Sequence, residues 1–260
     1  MKKVLKNIFI GLVFFFLFLP IIVLVCFSFN SSELNIVFEH FTLRWYYELF
    51  SNKQLIEAFT NTILIAIIST IVSTVIGTMG AIGLHKYNFP FKNTINKLLY
   101  IPIVIPEIVL GISLLSIYTL FKLELSIYTI LLSHIVFCIP FVVVSVRSAI
   151  NKNVDTIEQA AYDLGASNFQ TLFLITLPTL LSGIRAGALL SFTLSLDDVI
   201  ISYFTSGPSS NTLPLKIYSM IKTGITPDVY ALSSILLLIV FIILTFNILM
   251  QMRSIGSDAR

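Results

Sequence analysis

Glu158-Gln-Ala-Ala-Tyr-Asp-Leu-Gly165, running on to Ile175-Thr-Leu-Pro178, is a polar stretch set between two apolar runs of membrane-spanning length. Its local chemistry predicts a short helix, a glycine stop and a second helical piece ended by proline. Thr156 is placed to cap the first piece, and Ala160 and Ala161 favour helix. Most loops between neighbouring spans of a small membrane protein are short and unstructured. A chance amphipathic hairpin is the alternative reading, and the full spacing argues against it.

Working outward, the chain of 260 residues is 57% hydrophobic and only 11% charged, with a mean hydropathy of +0.96. Soluble domains are about 25% charged, so lipid rather than water solvates most of this chain. A net charge of +3 is too small to point to nucleic acid and is explained by membrane topology. Cys26 and Cys138 both fall inside apolar runs, with neither metal-site spacing nor a disulfide framework, and read as buried small side chains. Met1-Lys-Lys-Val-Leu-Lys6 ahead of an apolar run imitates a signal peptide. The run continues to about Phe29 without a small-x-small cleavage site, which predicts a retained first span.

Apolar stretches of roughly 20 residues or more cross the hydrocarbon core as helices. Six lie at approximately 8–29, 58–84, 98–121, 127–150, 180–204 and 231–252. Helices are required because each segment must satisfy its own backbone polar groups. The expected fold is an all-α integral membrane protein with six transmembrane helices, one domain over 1–260, and the loop 151–178 between the fourth and fifth spans. With the N-terminus in the cytosol, the inner side receives Lys2, Lys3, Lys6, Lys86, Lys92, Lys97, Arg147, Lys152, Arg185, Arg253 and Arg260. The outer side receives only Arg44, Lys53, Lys122, Lys216 and Lys222. That bias predicts cytosolic N- and C-termini and a cytosolic 151–178 loop. Outside, Phe41-Thr-Leu-Arg-Trp-Tyr-Tyr-Glu-Leu-Phe50 suits a short anchoring helix at the interface.

A charge inside a span costs roughly 2.5–3.5 kcal/mol on insertion scales, so it faces protein or a wet cavity. Glu107, Asp197 and Asp198 are such charges, whereas Arg147 and Arg185 lie near helix ends from which they can snorkel. Glu107 follows Pro102 and Pro106, and on a straight third helix it falls about 13 Å in, close to mid-membrane. Prolines bend helices, and bent helices at depth line protein or a cavity. Glu107 is thus the leading candidate for a substrate-facing carboxylate, with a hydrogen-bonded packing role as the alternative. Asp197 and Asp198 point roughly 100° apart on an intact helix, so both meet one ligand only if the helix unwinds. One is expected on the pathway and the other against a partner helix or a polar contact; in the outer half of the fifth span, a carboxylate simply close to outside water is the alternative. A negative, unpaired pathway favours a cationic substrate; an anion importer would need basic residues or helix N-termini at those depths.

Ala160-Ala161-x3-Gly165-x9-Ile175-x-Leu177-Pro178 resembles the cytoplasmic coupling loop of ABC-importer permeases. That family usually carries Glu where this chain has Gln159, with Glu158 just before it, so an ion pair made from position 159 is not expected. More distinctive are Ser191-Phe-Thr-Leu-Ser-Leu-Asp-Asp-Val199, Gly207-Pro-Ser209 and Leu213-Pro-Leu-Lys-Ile-Tyr-Ser-Met-Ile-Lys222. With Phe41-Thr-Leu-Arg-Trp-Tyr46 and Ile139-Pro-Phe-Val-Val-Val144 they closely resemble the second permease subunits of bacterial spermidine/putrescine ABC importers, over nearly the whole chain. The resemblance implies a type I ABC-importer permease fold in the bacterial cytoplasmic membrane. It implies a heterodimer with a homologous first permease, two copies of an ATPase subunit that binds ATP and magnesium, and an extracytoplasmic polyamine-binding protein. Transport would proceed by alternating access, with Glu107, Asp197 and Asp198 lining the path. Glu158, Gln159, Ala160, Ala161 and Gly165 become candidate ATPase-coupling residues: Gly165 lets the loop turn, and the alanines allow close packing in the ATPase groove. No cofactor is expected in this chain itself.

Tyr218 and Lys222, four residues apart, share a helix face. A ring that stacks on an amine and a lysine that repels one suit an outer gate, and ordinary interface anchoring accounts for the pair equally well. A membrane-embedded enzyme would need a catalytic constellation. The chain has no His-Glu-x-x-His, nucleophile elbow or clustered histidines; His40, His85 and His134 are scattered, and His134 reads as a packed polar residue. A self-sufficient secondary transporter would leave the 158–178 stretch without a role, and no internal repeat supports one. Lacking G-x-x-x-x-G-K-[ST], the chain is not expected to hydrolyse ATP. No catalytic residue, metal site or nucleic-acid partner is expected.

Overall fold

The computed structural model describes residues 2–33, 37–224 and 226–257, with the side chains of 2–4, 152–153, 222–223, 243–244 and 246–257 outside that description. The chain begins with α1 (Lys2–Phe27), α2 (Arg44–Ser51) and α3 (Lys53–Lys86). Then follow α4 (Lys92–Leu98), α5 (Ile101–Val104), α6 (Glu107–Leu120) and α7 (Ile127–Ala149). The loop segment forms α8 (Lys152–Asp163), α9 (Asn168–Thr171), a π-turn (Leu172–Thr176) and α10 (Leu177–Thr179). Last come α11 (Leu181–Asp197), α12 (Ile200–Thr205), α13 (Leu213–Thr223) and α14 (Pro227–Ser257). Outside the helices, the described residues hold one isolated bridge, between Asn30 and Phe41.

By length and composition α3, α7 and the Leu5–Phe27 part of α1 are each able to cross a membrane. Two further crossings exist only as bent pairs: Lys92–Val104 with Glu107–Leu120 at 112°, and Asn168–Thr179 with Leu181–Asp197 at 67°. The apolar described part of α14, Pro227–Ile242, is shorter. Among the described residues three to five crossings are supported; of the six expected spans, the last, 231–252, lies partly outside the described side chains. The third, expected over 98–121 with prolines that bend it, is interrupted between Val104 and Glu107. Pro106 has no amide hydrogen to donate, and Ile105 before it is forced into extended backbone at ψ 138°.

Two compact units divide the chain. The first comprises residues 1–56 and 219–260. In it Trp45 of α2 is buried and its indole N–H donates to Asn30 O at 2.6 Å. Phe29 stacks on Phe41 and meets Tyr46, so part of the expected interfacial aromatic cluster anchors this unit to itself. Asn52 Nδ2 donates to Asp228 Oδ2 at 2.6 Å, tying the start of α14 to the turn after α2. Cys26 is exposed on α1, against the expectation that both cysteines are buried; Cys138 is buried.

The second unit, residues 57–218, carries the functional candidates. α7 opens on a capping box: Ser126 Oγ accepts from Tyr128 N, and Thr129 Oγ1 accepts from Ser126 N. α11 packs along α7 with Gly183, Gly187 and Ser191 buried at the contact; such small residues let membrane helices approach closely. A core of Ala81, Leu84, Val142, Val143, Val146, Val154 and Leu180 joins the end of α3, α7, α8 and the start of α11. Helix α12 packs on α6 and, through Ile201, joins Leu114, Tyr118, Phe137 and Cys138 in a second cluster.

Candidate functional site

Two helix breaks meet in the second unit, and each carries acid. Glu107 is the first residue of α6, immediately after the break at Pro106, and it is exposed. Depth counted along a straight third helix therefore does not apply to it. The other break follows Asp197: Asp198 adopts extended backbone at φ −64°, ψ 126°, and α12 starts two residues later. The helix does unwind where the two aspartates stand, and they part company. Asp197 is exposed, while Asp198 is only 8% exposed. Glu107 lies within electrostatic range of both.

Asp198 is held from several sides. Its Oδ1 accepts from Ile201 N at 3.1 Å, and its Oδ2 accepts from Ser202 N and Ser202 Oγ, each at 2.8 Å. These bonds satisfy amides at the start of α12 in the manner of an N-terminal cap. The same Oδ2 is 3.3 Å from His134 Nε2, which also lies 3.1 Å from Ser202 Oγ. Across the ring, His134 Nδ1 is 2.7 Å from Ser195 Oγ, which in turn accepts from Ser69 Oγ at 3.0 Å. A buried polar chain thus links α3, α7, α11 and α12 across the break. Buried side chains of this kind need full hydrogen bonding to be tolerated, and these have it.

Sequence reading places His134 as a packed polar residue but gives no hint of its partner. Ser69, Ser195 and Ser202 carry no local signal at all. The one available clue was the break itself, since a freed helix start needs an acceptor and Asp198 stands three residues before Ile201.

The segment 152–179 has a different architecture from the one expected in two respects. α8 starts at Lys152, with Asn151 rather than Thr156 at its head; Val154 N donates to Asn151 O at 3.0 Å, and Thr156 sits inside the helix. Pro178 does not end the second piece, because α10 runs to Thr179 and the chain bends at Leu180. The glycine stop forms as read. Gly165 has φ +87°, its N–H donates to Tyr162 O at 2.9 Å, and Ala166 N donates to Ala161 O at 3.0 Å. This is a Schellman motif, and glycine suits its left-handed position.

The candidate coupling residues divide between the faces of α8. Glu158 and Ala161 are buried beside Val154 against the chain itself, whereas Gln159 and Ala160 are exposed, as is Gly165 past the end of the helix. Glu158 Oε2 is 2.8 Å from Lys86 Nζ, and Thr176 Oγ1 donates to Glu158 Oε1. At the turn and after it, Leu164, Phe169 and Leu174 expose large apolar side chains, Leu164 to 89%.

Tyr218 is partly exposed on α13; the side chain of Lys222, four residues on along the same helix, lies outside the described residues, as does Arg260. Among the described residues no three His, Cys, Asp or Glu side chains are grouped to hold a metal ion.

Comparison with known proteins follows the same lines. The model of the family described as binding-protein-dependent transport system inner membrane component matches residues 73–252. The spermidine/putrescine transport system permease protein PotC of Escherichia coli K12 is 42% identical over 237 residues, covering 91% of this chain and 90% of that protein. Its namesake from Haemophilus influenzae is 40% identical, covering 90% of this chain and 91% of that one. The putrescine transport system permease protein PotI of E. coli K12 is 35% identical, over 86% and 82% of the two chains. Among solved structures, a bacterial ABC transporter that imports the acidic polysaccharide alginate aligns with a TM-score of 0.71 over 96% of this chain and 95% of its own, at 14% identity. That last likeness concerns the fold alone.

Proposed function

Since the chain belongs to the family of binding-protein-dependent transport system inner membrane components, we propose that it is a permease subunit of an ATP-driven importer of polyamines, spermidine or putrescine. It is a transport component rather than an enzyme. The observation that carries the cargo reading is the meeting of two helix breaks with Glu107, Asp197 and Asp198 gathered at them. Freed backbone at a break is tolerated where it lines a cavity, and carboxylates there attract amines. Glu107 and Asp197, both exposed, line the path. Asp198 shapes it from behind.

The complex contains a homologous permease, which closes the other half of the path, an ATPase dimer and an extracytoplasmic binding protein. ATP and magnesium belong to the ATPase, which grips α8–α10 on the cytosolic side through the face that exposes Ala160, Leu164 and Phe169. The loaded binding protein docks outside, and closure of the ATPase dimer shifts the α8–α10 segment. The two permeases then exchange inward-open for outward-open states. Tyr218 and Lys222 stand on α13 as the outer gate.

The test is uptake of labelled spermidine by proteoliposomes holding all four components, with and without ATP. ATP-dependent uptake, competed by putrescine, is the expected result. Uptake driven by an ion gradient without ATP would overturn the reading, as would an assembled, ATP-hydrolysing complex that imports no polyamine.

A further inference from the structure

One carboxylate fastens three segments together. Glu158 sits in the middle of α8 with its side chain 7% exposed, its Oε2 2.8 Å from Lys86 Nζ at the last residue of α3. Its Oε1 accepts from Thr176 Oγ1, in the π-turn that leads toward α11, and Thr176 Oγ1 also lies 3.2 Å from Thr171 O. One turn earlier on α8, Asp155 Oδ1 is 2.8 Å from His85 Nε2, a second but more exposed link to the same end of α3. Val154, on the same face, is packed into the core shared with Ala81 and Leu84 of α3.

The energetics distinguish the two links. Both partners of the His85–Asp155 contact are more than a third exposed, and such pairs contribute little. Glu158 is another matter: a buried carboxylate deprived of its cation is an uncompensated charge, and removing one partner of such a pair is costly even where the intact pair adds little net stability. The value of Lys86–Glu158 lies in fixing where α8 sits on α3. From Lys86, α3 runs without a break to Ser69, about 25 Å along the helix, and Ser69 donates to Ser195 in the polar chain behind Asp198.

We propose that Lys86 and Glu158 are positioning residues that make α8 move as one body with α3. A displacement of α8 by the ATPase then reaches the break at Asp198 instead of being lost in slippage between α8 and the end of α3. Glu158 acts inside this chain, and contact with the ATPase falls to the opposite face of α8. The inference rests on the importer reading for its transport consequence but not for its structural one.

The experiment compares wild type, Lys86→Met, the charge-swapped K86E/E158K pair and His85→Gln, each in the full four-component complex in lipid. Two quantities are read: hydrogen exchange of the amides of 152–163, and labelled spermidine imported per ATP hydrolysed. Lys86→Met is expected to speed exchange in α8 on the order of tenfold or more and to lower spermidine per ATP by a similar factor. The swapped pair restores both to within a few-fold of wild type, and His85→Gln changes both by less than Lys86→Met does. Unchanged exchange in Lys86→Met overturns the proposal. So does faster exchange with wild-type spermidine per ATP, or a swapped pair that rescues neither quantity. A wild-type complex that imports no spermidine refutes the cargo reading instead, and the exchange comparison, which needs no cargo, still decides whether Lys86 holds α8.

Discussion

The Asp198 carboxylate lies 3.3 Å from His134 Nε2, and both side chains are almost wholly buried. Its sequence neighbour Asp197 is exposed. Two identical side chains, one residue apart, therefore sit differently: Asp198 organises the break, and Asp197 stays exposed beside it.

Stability separates them. Asp198→Ala leaves His134, Ser202 and two amides of α12 without their acceptor, and is expected to cost about 3 kcal/mol. Asp197→Ala, at an exposed position, is expected to stay within about 0.5 kcal/mol. Thermal unfolding of the purified complexes checks both; equal losses would mean that the network around His134 does not hold the break.

Transport should order the same residues differently. Glu107→Gln and Asp197→Asn each remove a charge from the proposed path while keeping the shape. Each is expected to lower spermidine uptake about tenfold, equivalent to 1.4 kcal/mol of lost attraction. Uptake rates at wild-type level, with the complex intact, would move the cargo path elsewhere.

Gly165 has open space where a Cβ would point, so only its backbone angle resists substitution. Gly165→Val is expected to destabilise the turn by roughly 1–2 kcal/mol and to abolish coupled uptake, while capture of spermidine by the binding protein persists. Gly165→Asn, which tolerates the left-handed region, should retain most uptake. Equal loss in both variants would show that the bare surface matters, and not the angle.

Gly207 presents the opposite case. A Cβ there would stand 1.9 Å from Leu125 O, with the backbone of the α6–α7 turn unable to give way cheaply. Gly207→Ala is expected to cost about 1–3 kcal/mol, read as a lower unfolding temperature of the complex. An unchanged temperature would show that the loop 206–212 has room to shift.

The sequence reading succeeded for much of the local physics, though Thr156 does not cap α8 and Pro178 does not end α10. Apolar runs marked the helices because lipid leaves the backbone no other partner, and Pro102 and Pro106 marked the third span as one that bends. Gly165 identified its own turn, since few residues other than glycine accept that backbone angle. Gly207 and Leu213 to Lys222 revealed kinship, and through it a role, but nothing of their contacts. Glu158, in contrast, was grouped with Gln159 and Ala160 because all lie in one motif. Only its spacing from Val154 and Ala161 hinted that it turns inward, and that hint names no partner.

Resemblance in the motifs gave the kinship with permeases; composition and local spacing determined by themselves that this is a helical membrane chain with a structured polar insert. Those properties follow from solvation and backbone geometry, which act residue by residue along the chain. Tertiary structure alone decided that Asp198 serves His134 and α12, that Glu158 serves Lys86 and Thr176, and that Glu107 comes within range of both aspartates. Side chains distant in sequence meet only when helices pack, and a buried carboxylate takes whichever cation and donors that packing brings to it.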